Sequence, residues 1–208
     1  LSIPTRSRSR SRASEPVLLA VPRRSGLRVS DRGFLRLCRS NPDLRLERTE
    51  SGELIVMAPA GSDSGLHNAE LTRQLGNWNR AAGLGFLFDS SAGFRLPAGA
   101  TRAPDASWIA RDRWLALTPV ERRGFAPICP DFVVELMSPS DDRDEVRDKL
   151  IEYIRNGARL GWLLAPDDAQ AEIYRPGRPV EVLDRPATLS GEDVLPGLVL
   201  DLRGILFD

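Results

Sequence analysis

Lysine is almost missing from this chain. Of its 29 basic residues, 28 are arginine and one, Lys149, is lysine. A guanidinium is a flat, permanently charged fork, whereas an ammonium is a compact point charge. A single lysine against that background marks a position where guanidinium would not serve. Histidine is as scarce, and the lone His67 reads as a core or cap residue before a catalytic one. The two cysteines, Cys38 and Cys129, are too few for a disulfide framework and lack metal-ligand spacing. Both are expected as buried small apolar residues in a reducing, cytoplasmic setting. No apolar run approaches the roughly 18 residues that cross a bilayer, and the N-terminus shows no apolar signal core. A net charge of zero argues against a strongly basic nucleic-acid coat protein and leaves room for a local basic groove.

What remains is an ordinary globular composition, 41% hydrophobic and 28% charged over 208 residues. That length suits one domain with a tail. Residues 1–27 carry an RSRSRSR repeat with almost nothing to bury, and are expected as a disordered, solvated tail. Residues 28–208 are expected to form the domain.

Ser30 or Asp31 can cap a short helix through Arg39, stopped by Asn41-Pro42-Asp43. Leu44–Thr49 and Glu53–Ala58 read as a hairpin about Glu50-Ser51-Gly52, with Glu47 on the face opposite Leu44 and Leu46. A helix is predicted over 64–82, its buried stripe formed by Leu71, Leu75 and Trp78, with Glu70 at the stripe's edge. Strands are predicted at 85–89, 93–97 and 102–110. Asp131–Met137 reads as a central strand covered on both faces. Ser138–Asp141 supplies cap oxygens for a helix to Asn156, with Gly157 at its end. Leu160–Ala165 is a further strand, and a hairpin spans Ala171–Leu183.

Glu135 interrupts the apolar central strand. A buried carboxylate must be protonated, paired or metal-bound. Lys149 lies about 60° from Val146 on the next helix, at the margin of its apolar stripe. Asp105 follows Pro104 in an extended segment. Two carboxylates on neighbouring strands can share a hard divalent cation such as Mg²⁺, which prefers oxygen ligands and keeps several waters. Such an ion activates water toward phosphorus, and a nearby ammonium balances charge building on the phosphate.

Several stretches in this order, APDASWI, ICPDFVVELMSPSD, RDKLIEYIRNGARLGWLLAP, EIYRPG and LSGEDVLPGLVLDL, resemble the Uma family of restriction-endonuclease-like proteins in the PD-(D/E)XK nuclease superfamily. The resemblance implies an α/β (α+β) fold with an α-β-β-β-α-β core, a mixed central sheet and added N- and C-terminal hairpins. It implies that Asp105 and Glu135 are the two catalytic acids and metal ligands, for Mg²⁺ with Mn²⁺ as a substitute. In the superfamily's simplest motif a lysine stands two residues after the second acid. Met137 occupies that place here, and Lys149 matches the variant whose lysine has moved to the following helix. A first-helix acid assists some members; Glu70 is the candidate, with Glu47 a weaker one.

The function expected is a metal-dependent endonuclease acting on DNA phosphodiesters, working as a homodimer because duplex cutting often uses paired sites. The alternative is a catalytically inactive nuclease-fold module that binds nucleic acid or a protein partner. Arg95, Arg102, Arg143 and Arg147 are candidate phosphate contacts. No stretch reads as a base-recognition element.

Overall fold

The computed structural model describes residues 24–57 and 59–207. The chain runs β1 (Arg24–Arg28), α1 (Asp31–Ser40), β2 (Arg45–Arg48), β3 (Glu53–Met57) and α2 (Ser62–Ala82). It continues with β4 (Gly85–Asp89), β5 (Phe94–Arg95), β6 (Thr101–Arg102), β7 (Ala106–Ala110), α3 (Arg111–Ala116) and α4 (Pro119–Arg122). Then come β8 (Phe132–Leu136), α5 (Arg143–Arg155), β9 (Leu160–Ala165), β10 (Gln170–Tyr174), β11 (Glu181–Asp184), β12 (Thr188–Ser190) and β13 (Val199–Asp201).

Six strands form a mixed sheet in the order β11-β10-β9-β8-β7-β4. Only β8 and β9 pair in parallel, so they need a crossover, and α5 provides it. All five residues of β8 are buried because each face is covered. Phe132, Val134 and Leu136 pack with Leu71 and Leu75 of α2 and with the C-terminal leucines. Val133 packs on the other face against Val146, Leu150 and Tyr153 of α5. Alternation then puts Glu135 on the face under α5. A Cβ at Gly161 would stand 2.8 Å from Leu150 Cδ1, so glycine lets α5 lie close on the sheet.

The expected N-terminal hairpin is larger than a hairpin. Strands β2 and β3 are the middle of a second, five-stranded sheet, ordered β1-β3-β2-β6-β5. The register Arg24↔Ile55 brings residues 24–27 into this sheet, so the folded part reaches past the expected boundary at residue 28. Its backbone bonds explain the difference: β3 offers an edge that β1 satisfies. The Arg/Ser repeat itself lies outside the described residues. The C-terminal hairpin, β10 and β11, extends the central sheet.

Two boundaries also moved. The single strand predicted over 102–110 is cut into β6 and β7, one in each sheet, on either side of Pro104, which has no N–H to give a ladder. Helix α5 starts later than Ser138. The Asp141 carboxylate accepts from the Ser138 N–H and hydroxyl, each at 2.8 Å, and closes a turn. Asp142 is the cap, accepting from the N–H groups of Asp144 and Glu145.

Candidate active site

The two sheets and α5 enclose a cleft of about 1660 Å³, with Glu47, Asp105, Glu135 and Lys149 among its lining residues. Register brings the acids together. Ala106 pairs with Val134, so the next step of that antiparallel ladder sets Asp105 opposite Glu135. The Leu136 N–H donates to Asp105 Oδ2 at 2.9 Å, and the Asp105 N–H to the Val134 carbonyl at 3.0 Å.

Lys149 reaches down from α5 into this corner. Its Nζ lies 2.9 Å from Glu135 Oε1 and 2.9 Å from Glu47 Oε1. It also donates to Glu135 Oε2 at 3.0 Å and to the Ala103 carbonyl at 3.3 Å. Its side chain is 11% exposed, that of Glu135 8% and that of Glu47 4%. This accounts for the lone lysine. Three acceptors arrive from different directions, from β2, from β8 and from the β6–β7 connection, and a rotating ammonium can serve all three. A planar fork cannot.

Of the two expected assisting acids, it is Glu47, the weaker candidate, that stands beside Lys149. Its Oε1 also accepts from the Ala103 N–H at 3.0 Å, and its Oε2 from Arg102 Nη1 at 3.1 Å. Arg102 in turn donates from Nε to Glu152 on α5. Hairpin register carried a usable signal: Glu47 stands opposite Ile55, which is buried, while Leu44 is exposed. Within β2 the one buried side chain is therefore the acid.

Four carboxylates (Glu47, Asp105, Glu135, Glu152) and two cations (Arg102, Lys149) thus share one corner, which is two charges negative when every group is ionised. The electrostatics follow. Burial, with Asp105 and Glu47 adding to it against Lys149, pushes Glu135 up to about 8. Burial also raises Asp105, although Lys149 and the Leu136 N–H oppose it. Burial would raise Glu47 too, but Lys149 and Arg102 outweigh it and hold that carboxyl at about 2. Burial favours a neutral Lys149, yet Glu135 and Glu47 win and raise its pKa.

A divalent cation would neutralise the corner. Glu135 Oε1 is buried and has no aligned hydrogen-bond donor, so it is an acceptor oxygen with spare capacity. Among the described residues no group of three or more His, Cys, Asp or Glu could hold a metal ion. The fit is to an ion satisfied by one or two carboxylates with water and phosphate oxygens for the rest, as Mg²⁺ is.

Other expected helpers are elsewhere. Glu70 is paired with Arg73 and accepts from Gln74, whose amide also reaches the Asp201 carbonyl. His67 is half-buried and does not line the cleft. Arg143 and Arg147 are held by Glu172, a buried carboxylate on β10, and Arg102 is buried in the site's own network. These three are committed to internal pairs rather than set out for phosphates. Arg95 is exposed and lies outside the cleft lining. Of the two cysteines, Cys129 is buried and Cys38 half-buried. No helix among the described residues is long and apolar enough to cross a membrane.

Comparison with known proteins agrees with this architecture. A solved structure from Anabaena variabilis, described as a putative nuclease belonging to DUF820, matches with a TM-score of 0.72 at 20% identity. The match covers 86% of this chain and 97% of that one, and at this identity it speaks for the fold. No match is found among curated proteins. The model of the Uma2 family, described as "Putative restriction endonuclease", matches residues 32–203, from α1 to just past β13. The chain belongs to the Uma2 family.

Proposed function

We propose that this protein is a Mg²⁺-dependent endonuclease that hydrolyses DNA phosphodiester bonds, with Asp105 and Glu135 as metal ligands and Lys149 as the assisting cation. The run α2-β4-β7-β8-α5-β9 corresponds to the α-β-β-β-α-β order of a restriction-endonuclease-like core. The observation that carries the reading is the convergence of Asp105, Glu135 and Lys149 in one cleft, with a buried Glu135 oxygen left without an aligned donor.

Asp105 and Glu135 would hold the ion, which would supply Lewis-acid polarisation of a phosphoryl oxygen and a water of lowered pKa. The chain's own groups do the rest. Asp105 is oriented by the Leu136 N–H. Glu135 Oε1 would be the oxygen offered to the ion, while Lys149, held at Glu135 Oε2 and Glu47, keeps a positive charge beside the place where charge builds on the phosphate. Duplex cutting calls for two such sites, and the proposed assembly is a homodimer, checked by light scattering on the purified protein with and without duplex.

The cleft lining holds nine carboxylates against Arg45, Arg102, Lys149 and Arg155. A bare phosphodiester is repelled there, so DNA entry should require the divalent ion. The same excess of acid is what favours a second reading, a module that no longer cuts and takes a basic protein partner. One experiment separates them: titration with Mn²⁺ by calorimetry, alongside cleavage of plasmid and oligonucleotide DNA in Mg²⁺. The nuclease reading expects metal uptake and cleavage, both lost in Glu135→Ala, with cleavage also lost in Asp105→Ala and Lys149→Ala while melting persists. A folded wild-type protein that binds no metal and cuts neither DNA nor RNA would leave the second reading standing.

A further inference from the structure

Lys149 has two carboxylate partners, and only Glu135 belongs to the proposed metal ligands. When a divalent ion approaches Glu135 it also repels the ammonium, so an ammonium held by Glu135 alone would leave the corner. We propose that Glu47 is the positioning residue that keeps Lys149 in the site while Glu135 turns to the cation. This deepens the nuclease reading and depends on it for its catalytic consequence.

The geometry supports it in three ways. Both Glu47 oxygens are anchored, one by the Ala103 N–H at 3.0 Å and one by Arg102 at 3.1 Å, so the carboxylate stays put when Lys149 is pulled. Glu47 stands on β2 in the five-stranded sheet, and Glu135 on β8 in the six-stranded sheet, so Lys149 is gripped from two separate sheets. Finally, Arg102 bonds Glu152, three residues along α5 from Lys149. Lys149, Glu47, Arg102 and Glu152 thus close a ring that ties α5 to the second sheet. That sheet completes the site rather than decorating it.

Because Lys149 is the chain's only lysine, an amine-acylating reagent such as sulfosuccinimidyl acetate reports on it without lysine background. The measurement is the acylation rate of Lys149, read by peptide mass spectrometry, with and without Mn²⁺. Wild type should label slowly in both. Glu47→Gln should label roughly tenfold faster, the scale of a lost charged hydrogen bond, and faster still in Mn²⁺. Glu135→Gln should speed labelling less than Glu47→Gln does, because Glu47 and the Ala103 carbonyl still hold the ammonium in place. In cleavage, Glu47→Gln should lower kcat with little change in KM, and Glu47→Asp, which keeps the charge but shortens the reach, should recover part of it. Should Glu47→Gln fail to fold, Glu47→Asp carries the labelling test, with an intermediate rate expected. Wild-type labelling in the Glu47 variants, or release of Lys149 by Glu135→Gln alone, overturns the proposal. Wild-type protein that shows the expected labelling pattern but never cuts DNA sinks the nuclease reading and leaves the anchoring role intact, since labelling needs no turnover.

Discussion

Replacing Glu135 by glutamine should make the metal-free protein more stable above neutral pH, although the change removes a buried ion-pair partner. Glu135 is raised from an ordinary 4.5 to about 8 in the fold. A carboxyl raised on folding binds its proton in the native state while the unfolded chain has released it. Stability from this group is therefore present below about pH 4.5, falls as pH rises toward 8, and is fully lost above. At about 1.4 kcal/mol per pH unit, the difference between 4.5 and 8 sets a ceiling of about 5 kcal/mol. Water in the cleft and relaxation of Lys149 screen much of it, so about 2 kcal/mol is the expected size. For a domain of this length that is a rise of about 4–8 °C in Tm. The assay is thermal unfolding of wild type and Glu135→Gln in EDTA at pH 5, 7 and 9. The two should melt alike at pH 5 and diverge by pH 9, with the variant higher. Adding Mg²⁺ or Mn²⁺ should raise wild type at pH 9 and leave the variant unmoved. A variant that melts below wild type at pH 9 in EDTA would refute the reasoning, because Glu135 would then be a net stabilising ion pair rather than a destabilised carboxylate awaiting a cation.

Three further outcomes are expected. Lys149→Arg keeps the charge but presents a fork to three acceptors that arrive from different directions; cleavage should fall about 100-fold, equal to about 2.7 kcal/mol of transition-state stabilisation, measured as kcat/KM. Arg143→Ala and Arg147→Ala should leave Mn²⁺ binding and the salt dependence of DNA binding unchanged, since both arginines serve Glu172; a shallower salt slope would return them to the phosphate contacts. Leu150→Ala, at a fully buried position over Gly161, should cost about 2–5 kcal/mol in urea unfolding while the protein still takes up Mn²⁺ below its melting point.

The strongly periodic elements were legible. The β8 and β9 runs, the α2 stripe of Leu71 and Leu75 and the α5 stripe of Val146, Leu150 and Tyr153 all stand where the pattern put them, because burial on a face writes itself into spacing. The pairing of Glu135 with Lys149 was legible too, from one acid in an apolar strand and one lysine at a helix margin. Segments near Pro104 and Ser138 were misjudged at their ends, where a missing N–H and an Asp side chain decide locally.

Sequence alone singled out the candidate side chains that the fold brings into one corner: a single amine among arginines, a carboxylate amid apolar residues, an Asp after Pro104. It could not say that the N-terminal strands form a second sheet, that this sheet turns Glu47 inward, or that Arg102 serves Glu47 and Glu152. Glu47 and Lys149 are 102 residues apart, and no local periodicity couples them. Their meeting is set by how two sheets and one helix pack, and the low-dielectric corner that packing creates is what shifts the carboxyls there away from their ordinary behaviour.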